Sequence, residues 1–143
     1  MQIIDSLQDL SGIGKLLKGV GSIAIVGLSP KENRPSNMVA RYLMDAGYTI
    51  YPVNPGHKEI LGEICYPDLL SVPHTIDVVN IFRRSEDVLP IVEDAVAIGA
   101  QAVWMQQGVS NDSGAELARS KGIFVVMDRC IKIDHNSLGL AKK

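Results

Sequence analysis

The chain has 143 residues, of which 46% are apolar, 21% charged and 5% aromatic. This balance is typical of one soluble globular domain and excludes a disordered or collagen-like chain. The formal net charge of -2 argues against a surface made as a whole for nucleic acid or anionic lipid. Any anionic ligand must therefore be held by a local cluster of basic side chains.

The two cysteines, Cys65 and Cys130, stand far apart in the sequence, with no CxxC pair and no partnering histidines. This spacing predicts neither a disulfide framework nor a zinc site, so we expect no metal. The apolar runs are too short for a signal peptide or a membrane-spanning helix. We therefore expect a cytoplasmic protein that binds neither membrane nor nucleic acid.

A helical stretch precedes the first predicted strand. We treat residues 1–21 as an N-terminal helical extension of a single domain that covers residues 1–143. Within it, residues 6–20 have helical spacing, although Gly12 and Gly14 weaken it. We expect this helix to cover the sheet or a partner subunit with an apolar face made of Leu7, Leu10, Leu16 and Leu17.

Five short runs of apolar and β-branched residues alternate with amphipathic segments along the rest of the chain. Continuous apolar runs are typical of parallel strands covered on both faces. With right-handed crossovers, the alternation predicts a Rossmann-like, doubly wound α/β fold with a mainly parallel sheet of five to six strands and helices on both faces. Predicted strands span residues 22–28, 48–53, 76–82, 100–105 and 123–127, and predicted helices span residues 36–46, 86–98 and 112–121.

Local signals place the helix ends and the turns. Glycines at positions 47, 99 and 122 follow the three predicted helices, where a left-handed residue commonly ends a helix. We expect Ser36 and Ser85 to cap two helices, and Ser110 or Asn111 to cap the third. Between the second and third strands we expect a turn at residues 54–56, a short strand near residues 63–66 and a one-turn helix after Pro67.

The loop after the first strand has the features of a phosphate site. In open parallel sheets the ligand lies beyond the carboxyl ends of the strands. Gly27 lets a ligand approach the backbone, and a helix starting at Ser36 offers unpaired amides and a positive dipole to an anion. Pro35 favours an extended Arg34 that presents its side chain. The alternative is that Gly27 and Ser36 simply make a turn and a cap.

The pattern disfavours NAD as the ligand. The GxGxxG fingerprint is absent, because Ser29 and Glu32 stand where glycines are needed. Asn54 ends the second strand, where an acidic residue would hold a ribose. Coenzyme A carries an additional phosphate, and basic side chains near the strand ends fit that demand: Arg34, Lys58, Arg83 and Arg84.

The later strand ends carry further candidates. Phe82 would pack against the ligand and Arg83 would pair with a phosphate. The alternative is that Phe82 is a core residue and both arginines are solvated. Trp104 lies in an apolar strand and is either a core residue or a residue that packs against a cofactor. Gln106 and Gly108 follow it, where the amides of a pantetheine arm would find polar partners and close backbone approach.

Catalytic signals are weak. Ser29 is followed by Pro30 and Lys31 and does not match the GxSxG motif of a nucleophilic serine. His57, His74 and His135 share no motif, and we expect them to be solvated or locally bonded. Cys130 is the weak candidate, because a cationic neighbour, Arg129, can make a thiol reactive; the alternative is a small buried thiol.

Together these segments resemble the family of small stand-alone CoA-binding proteins, whose fold is similar to the N-terminal CoA-binding domain of the succinyl-CoA synthetase α subunit. The likeness rests on Val26-Gly27-Leu28-Ser29-Pro30, Arg34-Pro35-Ser36, Tyr51-Pro52-Val53-Asn54-Pro55, Ile60-Leu61-Gly62-Glu63, Val79-Asn80-Ile81-Phe82-Arg83-Arg84-Ser85-Glu86, Val103-Trp104-Met105-Gln106 and Val126-Met127-Asp128-Arg129-Cys130. The resemblance implies CoA or an acyl-CoA bound over Gly27, Ser29, Arg34, Ser36, Val53, Asn54, Pro55, Phe82, Arg83, Gln106 and Gly108.

The expected function is binding of CoA or an acyl-CoA without catalysis, as a carrier, sensor or regulatory module. The resemblance does not imply ligase activity, because the phosphorylated histidine of the synthetase lies in a further domain. One alternative is an enzyme that uses Cys130 for thiol exchange or acyl transfer on bound CoA. Another is a nucleotide-gated interaction subunit whose N-terminal helix docks on another chain, in a homo-oligomer or with a protein partner.

Overall fold

The computed structural model describes the backbone of residues 3–143 and the side chains from Leu10 onward. None of the helices in this part of the chain has both the length and the apolar character needed to span a membrane. The helices are α1 (Ile3–Gly19), α2 (Pro35–Asp45), α3 (Val88–Ala97), α4 (Asp112–Ser120) and α5 (Ile131–Ser137); the strands are β1 (Ser22–Val26), β2 (Thr49–Val53), β3 (Glu59–Ile60), β4 (Glu63–Ile64), β5 (Val78–Ile81), β6 (Ala102–Met105) and β7 (Phe124–Val126).

Five strands form a parallel sheet in the order β2-β1-β5-β6-β7. The chain moves outward from β1 to β2, and then returns to the other side of β1 to form β5. The strand order therefore reverses between β1 and β5, the two neighbours at the centre of the sheet. This arrangement confirms the predicted Rossmann-like α/β fold with a five-stranded parallel sheet.

Alternating side chains of β1 enter two separate cores, one on each face of the sheet. Ile23 and Ile25 pack under α1, α2 and α5. Ala24 and Val26 pack under α3 and α4. Helices thus cover both faces, and all four side chains are buried, which explains why the strand is apolar along its whole length.

The N-terminal helix α1 covers the sheet of its own chain. Ile13 and Leu17 are fully buried in the core beneath α2 and α5. The predicted apolar face was partly wrong, because Ile13 takes the central position and Leu10 and Leu16 are only half-buried. The side chain of Leu7 lies outside the described residues.

Two of the expected helix caps were wrong. Ser36 is the second residue of α2, because Pro35 occupies the first helical position, where its missing N–H costs nothing. Ser85 begins a 3₁₀ turn before α3, and its hydroxyl accepts a hydrogen bond from the Ser110 N–H instead. Asn111 caps α4 as expected.

The remaining differences between the predicted and the observed secondary structure lie in short elements and at strand ends. The predicted strand near residues 63–66 is β4, which pairs with the unpredicted strand β3 as an antiparallel hairpin, while Tyr66 makes a separate parallel bridge to Val53. The helix α5 was also missed, because its seven residues are too few to show a clear period. The strands of the sheet begin or end one or two residues inside the predicted bounds at most ends.

The packing of α1 gives a stability prediction. We expect Leu17→Ala to lower the free energy of unfolding by about 2–5 kcal/mol, because it leaves a cavity in the shared core. Leu70→Ala, at a side chain that is 59% exposed, should change it by less than about 0.5 kcal/mol. Urea unfolding followed by circular dichroism measures both variants. Equal stability of Leu17→Ala and the wild type would contradict the packing of α1 on its own sheet.

Candidate functional site

The reversal of strand order between β1 and β5 opens a crevice at the carboxyl ends of these strands. Gly27 follows β1 and Phe82 follows β5. Gly27 has a φ of +90°, and a Cβ atom there would collide with the carbonyl oxygen of Phe82. The Gly27 N–H donates to the Val53 carbonyl at 2.8 Å. A glycine is therefore required where the three strand ends meet.

The loop after β1 is folded onto the first turn of α2. The Ser29 N–H donates to Ser36 Oγ at 2.9 Å, and Asn37 Nδ2 donates to the Ser29 carbonyl at 2.9 Å. The Ser29 hydroxyl accepts from the Lys31 N–H at 3.1 Å. Ser36 and Asn37 are both buried. The loop is thus held by side chains of the helix that follows it.

The N-terminus of α2 faces this loop without a side-chain cap. Arg34, the residue before the helix, has φ -86° and ψ 144°, which confirms the extended conformation expected before Pro35. The Ser36 hydroxyl accepts from Ser29 rather than from an amide of its own helix. The first turn therefore presents the positive end of the helix dipole to the crevice.

A cleft of about 380 Å³ lies at this helix end, and we call it the polar cleft after the hydroxyl, amide and basic side chains in its lining. Six of the predicted site residues line it, including Asn54 and Phe82, so the loop after β1, the end of β2 and the end of β5 contribute to one surface. It is lined by Gly27, Ser29, Pro30, Lys31, Arg34, Pro35, Ser36, Asn54, His57 and Phe82.

Asn54 connects this cleft to Arg83. Its Nδ2 donates to the Leu28 carbonyl at 2.8 Å, and its Oδ1 accepts from Arg83 Nη2 at 3.5 Å. A Cβ atom on Gly27 would lie 3.4 Å from Arg83 Nε. Gly27, Asn54 and Arg83 therefore converge at one edge of the sheet, as the predicted site requires.

A larger apolar cleft of about 1070 Å³ adjoins the polar cleft and shares Pro35 and Phe82 with it. Met38 of α2 and Ile133 of α5 stand at this cleft with side chains 44% and 56% exposed. The full lining is Pro35, Met38, Val39, Phe82, Arg83, Arg84, Asp87, Gln106, Gln107, Val109, Cys130, Lys132 and Ile133.

The other predicted site residues lie around these two clefts. Val53 and Pro55 line a small cleft of about 180 Å³ that also includes Arg83. Gly108 is exposed, and its N–H donates to Asp128 Oδ1 at 2.7 Å. It is outside the apolar cleft, whose lining includes its neighbours but not Gly108 itself.

Trp104 is a core residue and the side chain of Arg84 is largely exposed to solvent, which are the structural alternatives to binding a ligand. Trp104 is fully buried in the core, and its Nε1 donates to the Arg129 carbonyl at 2.8 Å. Arg84 pairs with Asp87 at 3.0 Å and with Glu86 at 3.5 Å. The hydrogen bond and the charge of Asp87 raise the pKa of the Arg84 guanidinium. Arg84 also lines the apolar cleft, whereas Arg83 lines both the apolar cleft and the small cleft and donates to Asn54.

The cysteines differ in their surroundings. Cys130 is half-buried and lines the apolar cleft. The guanidinium of its neighbour Arg129 binds Asp134 through two hydrogen bonds of 2.7 and 3.0 Å, so its charge is balanced by a buried carboxylate. Cys65 is buried, its thiol donates to the Asn54 carbonyl at 3.4 Å, and burial raises its pKa.

The three histidines stand in separate places. His57 is exposed at the polar cleft, and His74 stacks on Tyr51 with ring centroids 5.1 Å apart. His135 is 3% exposed, with Nδ1 at 2.7 Å from the Tyr42 hydroxyl, and burial lowers its pKa. Among the described side chains, no three His, Cys, Asp or Glu residues are grouped closely enough to hold a metal ion.

Several lining residues were not found from the sequence. Lys31 and His57 lie in loops, and Lys132 and Ile133 lie on α5, the helix that was missed. Met38 lies on the predicted helix α2, but next to the buried Val39. The sequence carried no usable signal for residues 132 and 133, because the seven residues of α5 are too few to show a helical period.

The strand order and the crevice at its reversal define the class, a doubly wound α/β domain with a binding cleft at the carboxyl edge of its sheet. The family model described as "CoA binding domain" matches residues 21–136. The chain belongs to this family, which confirms the resemblance seen in the sequence. The helix α1 precedes the matched residues.

Three relatives show how widely this unit is used. The uncharacterised protein YneT of Bacillus subtilis is 41% identical over 86% of this chain and 91% of its own length. A hypothetical protein from Pyrococcus horikoshii OT3 has a TM-score of 0.89 at 37% identity, with 92% of each chain covered. The ADP-forming acetate–CoA ligase I of Archaeoglobus fulgidus is 25% identical over 82% of this chain, which spans 19% of the ligase.

The contact at Gly27 gives a prediction with a matched control. Gly27 and Gly56 both have a φ of +90°, but a Cβ atom at Gly56 would meet nothing within 4 Å. We expect Gly56→Ala to lower the free energy of unfolding by about 1–3 kcal/mol from backbone strain alone. Gly27→Ala should lower it further, because the strand ends must also move apart. Chemical unfolding compares the two, and equal losses would show that the collision with Phe82 is relieved without cost.

Proposed function

We propose that the protein binds CoA or an acyl-CoA at the carboxyl edge of its parallel sheet. The observation that carries this proposal is the continuity of the polar cleft at the uncapped N-terminus of α2 with the apolar cleft beyond Phe82. The first suits phosphate groups, and the second suits a long and mostly uncharged arm. CoA joins these two chemical characters in one molecule.

The distribution of charge supports an anionic ligand. The chain as a whole carries a net charge of -2, yet two basic residues line the polar cleft, and three basic residues against one acidic residue line the apolar cleft. They are Lys31 and Arg34 in the first, and Arg83, Arg84, Lys132 and Asp87 in the second. Guanidinium groups bind phosphate with charge-assisted hydrogen bonds. A local positive surface on an acidic protein is the arrangement that a polyphosphorylated ligand requires.

Asn54 supports CoA over NAD. In an NAD site an acidic residue near the end of the second strand accepts hydrogen bonds from the ribose. Here both ends of the Asn54 side chain are engaged, by the Leu28 carbonyl and by Arg83. Asn54 therefore acts within the protein, as a link between the loop after β1 and Arg83.

We propose binding without catalysis, as a carrier, sensor or regulatory module. The name of the Archaeoglobus fulgidus ligase includes CoA, but this chain corresponds to only 19% of that protein. Most of the groups placed at the clefts are binding groups, namely amides at a helix end, guanidinium groups and amide side chains; the exceptions include the Cys130 thiol and His57. The Ser29 hydroxyl accepts from a backbone N–H, as expected for a turn rather than for a nucleophile.

Calorimetric titration with CoA, acetyl-CoA, NADH and NADPH tests the proposal, and we expect heat with the two CoA compounds. Arg83→Ala should weaken CoA binding by about tenfold or more, because a charge-assisted hydrogen bond contributes about 1.5–3 kcal/mol. The control is Arg119→Ala, at an exposed arginine in the last turn of α4, at the opposite edge of the sheet. Absence of binding to either CoA compound would refute the function.

A second candidate function is thiol exchange at Cys130, and its position favours it. Cys130 lines the same cleft as Phe82 and Gln106, where the thiol end of a bound ligand would lie. The Cys130 thiolate would attack one sulfur of CoA disulfide and form a mixed disulfide. The S–S bond of the disulfide would break and one CoA thiolate would leave and take up a proton, so no further oxidant is needed.

Intact-mass measurement after incubation with CoA disulfide tests this reaction. We expect the mass of one CoA added to the wild type, lost in Cys130→Ser and kept in Cys65→Ser, because Cys65 is buried and its raised pKa disfavours the thiolate. A wild type that stays unmodified would eliminate the exchange, and an adduct that survives Cys130→Ser would place it at another residue.

A further inference from the structure

The outer wall of the apolar cleft is built from large apolar side chains left partly in water. Met38 comes from α2 and Ile133 from α5, and each exposes about half of its side chain at the cleft. Val39 and Val109 continue the apolar lining inward. A ligand segment that removed these side chains from water would bind favourably, at roughly 25 cal/mol for each Å² of apolar surface buried.

Gln106 lies in this cleft with a fixed orientation. Asn80 Nδ2 lies 3.3 Å from the Trp104 carbonyl, which can only accept, so the amide group of Asn80 must point that way. The same Nδ2 donates to Gln106 Oε1 at 3.3 Å. The Ile131 N–H also donates to Gln106 Oε1, at 3.5 Å. The oxygen of Gln106 is thus held inward, which leaves its Nε2 group to donate to a ligand in the cleft.

The two clefts are arranged in sequence. Phosphate groups at the N-terminus of α2 would lie on one side of Phe82, and the rest of the ligand would pass Phe82 into the apolar cleft. The apolar cleft is the larger, at about 1070 Å³ against about 380 Å³. A cleft of this size holds a drug-sized molecule, so it has room for an acyl group beyond the pantetheine arm.

We propose that the apolar cleft selects CoA thioesters with an apolar acyl chain, which lies between Met38 and Ile133. In this arrangement Gln106 Nε2 donates to a carbonyl oxygen of the thioester or of the adjoining amide. The inference rests on the proposed function and adds the class of acyl group. It predicts that free CoA is the weaker ligand.

A series of acyl chain lengths tests the inference. We expect affinity to rise from CoA and acetyl-CoA through butyryl-CoA to hexanoyl-CoA, by up to about fourfold for each buried methylene, the equivalent of about 0.8 kcal/mol. Calorimetric titration measures the series. Equal affinity for all of these compounds would overturn the acyl site and leave CoA binding intact, whereas no binding of any of them would refute the proposed function itself.

Two matched isoleucines locate the acyl chain. Ile133→Ser should remove most of the gain of hexanoyl-CoA over acetyl-CoA, a larger loss than its effect on the affinity for CoA itself. Ile64→Ser, at a side chain that is 65% exposed on β4, should keep the full gain. Sedimentation velocity of both variants excludes an effect through assembly. An Ile133→Ser variant that changes oligomeric state but keeps the chain-length series would assign this surface to a second copy of the chain and overturn the proposal.

The donor role of Gln106 is tested with a variant that lacks the donor and with a ligand that lacks the pantetheine arm. Gln106→Glu replaces the amide donor with a second oxygen, so hexanoyl-CoA should bind about tenfold more weakly. Adenosine 3′,5′-bisphosphate, which has no carbonyl-bearing arm, should lose much less affinity than hexanoyl-CoA, and only through the negative charge that the variant adds. Equal binding of hexanoyl-CoA to both proteins would remove Gln106 from the proposed site.

Discussion

The close approach of the backbone at the ends of β1 and β5 is the constraint on which the site depends. Gly27 has a positive φ and no space for a side chain beside the Phe82 carbonyl. Because the two strand ends touch, the loop to α2 and the side chain of Arg83 are brought to the same edge of the sheet. The side chain of Asn54 then links that loop to Arg83. The geometry of the site thus follows from backbone packing.

The two helices that follow β1 and β6 begin differently, although both begin at this edge of the sheet. α4 is capped by Asn111, whose side chain accepts from the Gly114 N–H at 2.8 Å. α2 has no such cap, and the Ser36 hydroxyl accepts from the Ser29 N–H instead. A missing cap costs about 0.5–2 kcal/mol. A bound anion at the N-terminus of α2 would offset that cost.

Sequence reasoning predicted the parts of the molecule that repeat a simple period. The apolar runs predicted all five strands of the sheet, and the glycines at 47, 99 and 122 do have positive φ. The convergence of Gly27, Asn54 and Arg83 followed from the rule for open parallel sheets. The strand β3 and the helix α5 are too short to show a period, so both were missed, and Ile133 was missed with α5. The role of Ser36 could not be predicted, because it depends on how the loop folds back.

One buried side chain beneath the apolar cleft, that of Asn80, is polar although the stability of the fold does not require a polar residue there. Asn80 is fully buried in β5, and its Oδ1 has no hydrogen-bond partner in the described structure. A buried acceptor without a partner costs about 1–3 kcal/mol, and an apolar residue in this central strand would avoid that cost. What Asn80 does provide is a donor that holds the oxygen of Gln106 inward. A polar residue at this position is therefore better explained by the orientation of Gln106 at the cleft than by the packing of the core.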